Sequence, residues 1–141
     1  MTIKFCGAAR AVTGSSHLLT LDDGYKILLD CGLYQGYDEE FENFNNNWFF
    51  EPADIDCVVL SHAHIDHCGR LPKLVKDGFD GSIVCTHATR DLAAIMLADS
   101  AHIQVRDVQY ANKDKKRWDN KAIEPLYEPK DIPDCMNLFV G

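Results

Sequence analysis

Within the first thirty positions of the chain, hydrophobic and polar residues alternate in short segments that are separated by GAARAVTGS and by a turn. The segments TIKFC, SHLLTL and LDDGYKILLD carry this alternation, which is typical of strands with one buried face. An Asp-Gly pair in the third segment signals a tight turn before the strand that ends at Asp30. The sequence therefore predicts that the chain opens with a β-meander.

The pattern changes further along, where apolar runs alternate with segments of helical character. The runs IDCVVLS and SIVCT are continuously apolar, as in strands that are covered on both faces and pair in parallel. Between them, GRLPKLVKDG predicts a short helix closed by Gly78, and the earlier segment YDEEFENFNNNW predicts an acidic helix ended by asparagines. This order of elements predicts an α/β fold with a mixed sheet and flanking helices.

A long helix is predicted to begin at Thr89 and to run to about Trp118. Asp91 lies in its first turn, where a carboxylate interacts favourably with the helix dipole. Helical spacing places four large apolar residues on one stripe, which in an amphipathic helix packs against the core: Leu92, Ile95, Met96 and Ile103. The tail that follows contains three prolines and predicts one short helix.

Composition and charge narrow the class of protein. A chain of 141 residues with 46% hydrophobic residues has the size of one ordinary domain with a buried core. Its net charge of −8 disfavours a broad basic surface for nucleic acid and suits a protein that binds cations. The sequence shows no signal peptide, and no apolar run approaches the roughly 20 residues of a membrane span. We therefore expect no membrane partner.

Six cysteines are spaced widely along the chain, without the C-x-x-C pairs of structural zinc sites and redox motifs. Four of them lie in or directly after apolar, strand-like runs, which favours buried thiols over a disulfide framework. This use of cysteine predicts a reducing, cytoplasmic location.

The strongest chemical signal is the segment SHAHIDH, which directly follows an apolar run. It contains four residues of metal-binding type: His62, His64, Asp66 and His67. If strand geometry persists, the first three side chains point the same way and the fourth reaches around from the other side. Imidazole and carboxylate groups suit zinc, and a loop after a strand leaves a coordination position open for water. The segment therefore predicts a loop shared by two adjacent zinc ions, which activate water against a phosphoryl or carbonyl group.

A surface loop rich in histidine, or histidines bonded to backbone carbonyls in a core, is the alternative interpretation. Four ligand-type residues at this spacing after a buried strand disfavour it. The isolated His17 and His102 are predicted to be structural, and the role of His87 is left open. Asp30, at the end of its strand, either caps the next loop or orients a metal-binding histidine, and the residues alone favour neither role.

The segment SHAHIDHCG resembles the H-x-H-x-D-H signature of the metallo-β-lactamase superfamily. The segments GAARAVTGSSHLL, LLDCGLYQG and THATRDLAAIMLADSAHI resemble its β-CASP branch, whose members process RNA as endonucleases and exonucleases. The resemblance covers nearly the whole chain. It implies the first half of an αββα sandwich, with metals held at the loop edge of its sheets.

The resemblance also implies roles for individual residues. His62 and His64 would hold one zinc ion, and Asp66 and His67 the other. Asp66 would also steer the attacking hydroxide as a catalytic residue. Asp30 matches the family's first-motif aspartate, which favours a role in orienting a metal-binding histidine from outside the ligand set.

The family's remaining metal ligands and the β-CASP insert have no counterpart in residues 1–141, so the resemblance implies an incomplete, amino-terminal part of the domain. We expect the longer parent protein to hydrolyse RNA, and this chain alone to be inactive with its two zinc positions empty or partly filled. Apolar surface left open by an incomplete sandwich predicts association, as in a homodimer. The alternatives are hydrolysis of a small thioester, lactam or other ester-type substrate, and a non-catalytic binding module.

Overall fold

A computed structural model describes residues 1–36, 39–114 and 123–141, with the side chains of residues 39–42 and 114 excluded. Within these ranges the strands are β1 (Thr2–Gly7), β2 (Ser16–Thr20), β3 (Lys26–Leu29), β4 (Cys57–Val59), β5 (Ser82–Val84) and β6 (Phe139–Val140). The helices are α1 (Glu39–Asn46), α2 (Ile65–Cys68), α3 (Leu71–Lys76), α4 (His87–Asp114) and α5 (Ile132–Asn137). Two short 3₁₀ turns, Pro52–Asp54 and Pro129–Asp131, precede β4 and α5.

The six described strands form one sheet, in the order in which they occur along the chain. The pairs β1–β2 and β2–β3 are antiparallel, whereas β3–β4, β4–β5 and β5–β6 are parallel. Each parallel connection contains at least one helix, as a crossover between parallel strands requires. The predicted meander and the predicted α/β fold with a mixed sheet are therefore confirmed.

One face of the sheet forms the core. The register of neighbouring strands places Leu28, Val58 and Ile83 side by side, and all three are fully buried. Leu71 and Leu74 of α3 are equally buried and belong to the same hydrophobic cluster. The helices therefore pack on this face of the sheet.

The side of α4 that faces the core differs from the predicted one. Ala93, Leu97 and Ala101 are fully buried. The predicted stripe is wrong, because three of its residues are largely exposed: Leu92 (49%), Ile95 (68%) and Ile103 (41%). The two alanines let the helix backbone lie close to the dense core, so side-chain size as well as hydrophobicity decides which side packs.

The helix α4 begins at His87 rather than at Thr89. The Thr86 hydroxyl accepts a hydrogen bond from the Thr89 backbone N–H at 3.2 Å, which satisfies a free donor of the first turn. The predicted end near Trp118 lies outside the described residues. Among the helices described, none combines the length and apolar character that a membrane crossing requires.

The opposite face of the sheet is not covered by any helix of the described chain. Phe5, Val59 and Val84 lie on it and are 64%, 40% and 41% exposed. The interpretation of IDCVVLS and SIVCT as strands buried on both faces is therefore wrong for this chain. Alternate residues of these strands are exposed because the helices pack on one face only.

Candidate metal centre

The predicted metal motif begins just after β4, at the carboxyl edge of the sheet. His62 and His64 lie in a loop, whereas Asp66 and His67 lie in the short helix α2. The His64 carbonyl accepts the backbone N–H groups of His67 and Cys68, both at 2.9 Å, so the chain turns helical here. Strand geometry therefore ends before Asp66, and the condition under which alternation would align the first three side chains is not met.

The helical turn nevertheless brings the four predicted ligand residues together. The ring centroid of His62 lies 4.7 Å from that of His64 and 4.0 Å from that of His67. Asp66 Oδ2 lies 3.5 Å from His67 Nε2. His64 is exposed and the other three are half-buried, so the four side chains lie side by side where solvent reaches them.

Asp30 lies at the base of this cluster. It follows β3 with a φ of 59°, a left-handed conformation that aspartate tolerates better than most residues. It is 8% exposed. Its carboxylate accepts hydrogen bonds from the Ser61 N–H (2.8 Å) and hydroxyl (3.0 Å), from the Ser15 hydroxyl (3.3 Å) and from His67 Nδ1 (2.8 Å). The buried carboxylate is therefore fully bonded by donors on three segments of the chain.

The same carboxylate sets the proton positions on two histidines. An ionised carboxylate only accepts hydrogen bonds, so His67 donates its Nδ1 proton to Asp30 and leaves its Nε2 lone pair free. The Ser61 hydroxyl donates its proton to Asp30. The Ser61 oxygen therefore acts as the acceptor toward His62, whose Nδ1–H donates to it at 2.9 Å. Both histidines therefore present Nε2 as the nitrogen available to a metal ion.

Neighbouring loops hold the backbone of α2. The Cys31 N–H donates to the His67 carbonyl at 2.7 Å, and the Ser15 N–H donates to the Asp66 carbonyl at 2.9 Å. Gly32 lies against the same region, where an added Cβ would come within 1.7 Å of the Asp66 carbonyl oxygen. The close approach explains why glycine occupies this position.

Arg70 supports the loop that follows β3 from inside the protein. It is 1% exposed, and its guanidinium donates to the carbonyls of Gly32 (2.9 Å), Phe44 (2.8 Å) and Asn47 (3.2 Å). The guanidinium carbon also lies 4.2 Å from the ring centroid of Phe44 and 4.5 Å from that of Trp48. Burial lowers the pKa of Arg70, and the carbonyls and aromatic faces offset the cost of burying its charge.

A second buried chain of hydrogen bonds reaches the end of α2 from the carboxyl-terminal segment. Tyr127 is fully buried, and its hydroxyl donates to the Gly69 carbonyl at 2.8 Å. It accepts from the Ser100 hydroxyl at 2.9 Å, which in turn accepts from Gln104 Nε2 at 3.2 Å. Burial raises the pKa of the Tyr127 phenol, so this donor stays protonated. The helix with Asp66 and His67 is therefore tied to α4.

The cysteines near this site behave as buried thiols. All six cysteines are free, as predicted, and most of them are buried. Burial does not follow the apolar runs, because Cys57 and Cys85 lie in such runs and are only half-buried, whereas Cys68 and Cys135 lie outside them and are buried. Burial raises the pKa of Cys31 and of Cys68 to about 12. Because the thiolate is the form that binds metal, these two neutral thiols are not part of the candidate ligand set.

The donor atoms fit a metal ion as a pair. Two ligands that bind one zinc ion at about 2.1 Å with tetrahedral angles lie about 3.4 Å apart. The Asp66 Oδ2 to His67 Nε2 distance of 3.5 Å matches this spacing. Within the described ranges, no group of three or more His, Cys, Asp or Glu side chains is arranged to hold a metal ion. Asp66 and His67 thus fit a cation by the type and spacing of their donor atoms, but they form only part of a complete ligand set.

Sequence reasoning missed several residues that build this site. Ser61 was detectable, because a hydroxyl that directly precedes a histidine motif can bond its imidazole groups. Gly32 and Ser15 act through backbone positions, and Tyr127 acts across 58 positions of sequence. No local pattern shows such contacts.

The remaining histidines lie on other elements. The ring of His17, in β2, meets that of Phe5 edge-on at 5.4 Å. His87 begins α4 and His102 lies within it, and both are exposed.

The chain belongs to the metallo-β-lactamase superfamily. The sequence profile of this superfamily matches residues 9–134. Its members bind metal ions, typically zinc. The family match confirms the resemblance predicted from the motif.

Three curated relatives are similar to most of the chain. Ribonuclease TTHA0252 of Thermus thermophilus is 42% identical, over 96% of this chain and 27% of the relative. Transcription termination factor FttA of Methanocaldococcus jannaschii is 37% identical, over 81% of this chain and 18% of the relative. Integrator complex subunit 11 of Danio rerio is 36% identical, over 95% of this chain and 21% of the relative. These relatives confirm the resemblance to the β-CASP branch, and the chain spans less than a third of the length of each.

Proposed function

We propose that this chain supplies the first part of the active site of a metal-dependent nuclease that hydrolyses RNA phosphodiester bonds. The observation that carries the proposal is the network around Asp30, which leaves His62 and His67 with free Nε2 lone pairs in one cluster. The relative named as a ribonuclease is 42% identical along 96% of this chain, which supports RNA as the substrate.

We also propose that residues 1–141 form the amino-terminal part of a larger metallo-β-lactamase domain. Two observations support this extent. The donors of the cluster form a pair at metal-binding distance, whereas a catalytic zinc takes three protein ligands plus water. The chain also spans 27% of the relative with which it shares 42% identity. The remaining ligands and the general acid would lie outside residues 1–141.

In this proposal, His62 and His64 hold one zinc ion, and Asp66 and His67 hold the other. When bound, zinc supplies Lewis acidity for a phosphoryl group and activates water for attack. Asp30 keeps a proton on His67 Nδ1 and thereby directs Nε2 into the cluster. Asp66, whose second oxygen is free to accept a proton or a hydrogen bond, orients the nucleophile.

The charge of the chain is consistent with a role for cations in substrate binding. A net charge of −8 repels the phosphate backbone of RNA. Metal ions held by the four motif residues would add positive charge at the site where RNA binds and would offset this repulsion. RNA is therefore the proposed partner at the metal edge of the sheet. A cytoplasmic location, suited to six free cysteines, is part of the same proposal.

RNA cleavage by the longest polypeptide that the gene encodes tests the proposed function. We expect zinc-dependent cleavage of single-stranded RNA that His64→Ala reduces by about a hundredfold or more. His102→Ala, an exposed histidine of α4, is the matched control and should cleave at the unchanged rate. Equal cleavage by the His64→Ala variant would contradict the metal mechanism. Zinc-dependent hydrolysis of a thioester or lactam without RNA cleavage would instead support the small-molecule alternative.

A further inference from the structure

A pocket with aromatic walls opens on the surface beside the candidate metal centre. We call it the aromatic pocket, and its lining residues are Tyr34, Asn43, Phe44, Asn47 and Phe49. Its volume is about 410 Å³. The ring centroid of Phe44 lies 5.6 Å from that of Tyr34 and 6.2 Å from that of Phe49. Phe49 is 54% exposed, so the aromatic pocket presents ring surface to solvent.

Two short segments connect the aromatic pocket to the candidate metal centre. Tyr34 follows Asp30 in the chain, and the residues between them span at most about 14 Å. Gly14 packs against the wall of the pocket, where an added Cβ would lie 3.2 Å from the Tyr34 Cβ. Its neighbour Ser15 donates its backbone N–H to the Asp66 carbonyl at 2.9 Å. A strand of RNA whose phosphate lies at the metal cluster can therefore reach the aromatic pocket with a nearby base.

The chemistry of the aromatic pocket favours an uncharged, planar ligand. None of its lining residues is charged, and residues 39–42, directly before Asn43 in sequence, include three glutamates. A phosphate would find no counter-charge in the pocket, which makes its burial costly. A nucleobase is uncharged, and its face stacks on aromatic side chains. The base of a nucleotide therefore fits the pocket better than its phosphate does.

Hydrogen bonds to the backbone hold the walls of the aromatic pocket in place. The buried Arg70 guanidinium donates to the carbonyls of Phe44 at 2.8 Å and Asn47 at 3.2 Å. The Lys4 ammonium donates to the Phe49 carbonyl. A ligand therefore meets rings that are already ordered, which lowers the entropy cost of binding. Lys4 is exposed, so it also places a positive charge beside the pocket, where it suits the phosphate backbone of RNA.

We propose that the aromatic pocket binds one base of the RNA substrate by stacking. This inference rests on the proposed function, because RNA is the substrate of the neighbouring metal site. Stacking tolerates every base, since each has a π face, so the pocket positions the strand rather than selecting its sequence. The bases of a duplex are already stacked on one another, so the pocket takes a base only from single-stranded RNA.

Cleavage of single-stranded RNA by the longest polypeptide that the gene encodes tests the aromatic pocket. Phe49→Ala removes stacking surface and should lower kcat/KM by about 5- to 150-fold, while the zinc content stays unchanged. Phe49→Tyr keeps the ring and should cleave at nearly the natural rate. Tyr110→Ala is the matched control, because Tyr110 is also an exposed aromatic residue, at 72%, and lies on α4. Circular dichroism would verify that both alanine variants fold.

RNAs that each lack one base test whether Phe49 contacts a base. One abasic position should lower kcat/KM of the natural chain by the same factor as Phe49→Ala, and both changes together should lower it no further. An unchanged kcat/KM in the Phe49→Ala variant would overturn the aromatic pocket. A loss that adds to that of every abasic position would also overturn it and would indicate that Phe49 contacts protein instead.

His64→Ala separates this inference from the proposed function. If His64→Ala abolishes cleavage and Phe49→Ala leaves it unchanged, the metal mechanism stands and the aromatic pocket is wrong. A natural chain that does not cleave RNA at all would overturn both.

Discussion

At the scale of residues, Asp30 contributes more than its position after a strand suggests. One carboxylate receives donors from β2's preceding loop, from Ser61 and from His67. Its left-handed φ of 59° places the side chain under the motif, and such a conformation is kept where the surrounding contacts compensate for it. A single buried group therefore connects the backbone of the sheet edge to the proton positions of the candidate ligands.

Replacement of Asp30 by asparagine should move a proton on His67. Asparagine keeps the shape and tolerates the left-handed backbone, but its amide can donate to Nδ1, which favours the tautomer with the proton on Nε2. We expect ¹⁵N NMR to show this reversal, and zinc affinity to fall by about 10- to 100-fold. Asp99→Asn, on an exposed position of α4, is the control. Unchanged His67 signals in the Asp30→Asn variant would refute the role of Asp30.

Replacement of Tyr127 by phenylalanine should destabilise the protein without creating a cavity. The change leaves the buried Gly69 carbonyl and the Ser100 hydroxyl without their partner. We expect the free energy of unfolding to fall by about 1 to 3 kcal/mol, measured by urea denaturation. Ser100→Ala should lower the free energy of unfolding by less in the Tyr127→Phe variant than in the natural chain. Strictly additive effects would show that the two hydroxyls are not coupled.

At the scale of elements, α2 illustrates how tertiary contacts create a helix. Four residues are far too few for an independently stable helix. The segment is helical because the N–H groups of Cys31 and Ser15 bond its carbonyls, and because Tyr127 bonds the carbonyl of Gly69. The geometry of Asp66 and His67 thus depends on segments that are distant in sequence.

Replacement of Gly32 by alanine should disturb α2 through a direct clash. The new Cβ would lie 1.7 Å from the Asp66 carbonyl oxygen, so the backbone of one segment must shift. We expect a loss of about 3 kcal/mol in unfolding free energy. Gly24→Ala is the control, because its φ of 89° adds strain but no heavy atom lies within 4 Å of its Cβ. Thermal or urea unfolding that gives equal losses for both variants would contradict the clash.

Local patterns were sufficient for some elements and not for others. Alternation predicted β1 to β3, and the ligand types of the motif, together with the end of a strand at Asp30, predicted which side chains gather at one edge. Helix α2 was missed because four residues carry no periodicity. The core side of α4 was missed because Ala93 and Ala101 are weakly hydrophobic, and their small size matters only against a particular neighbour.

At the scale of the whole molecule, residues 1–141 should bind zinc weakly and should not cleave RNA. Asp66 and His67 are at metal-binding distance as a pair, and no larger ligand group exists among the described residues. Calorimetry should therefore show fewer than two zinc ions per chain, and incubation with labelled RNA should leave it intact. Two tightly bound zinc ions with metal-dependent cleavage would show that a partner chain completes the ligand set.

The described strands lie in the sheet in the same order as along the chain, and this order affects how the protein folds during its synthesis. Each strand from β2 to β6 docks on an edge formed by the strand synthesised just before it, so none must be inserted between two strands already paired. Folding can therefore keep pace with the ribosome, because each emerging segment finds its docking edge already complete. The last edge formed belongs to β6, and it is the place where a following strand would join the sheet.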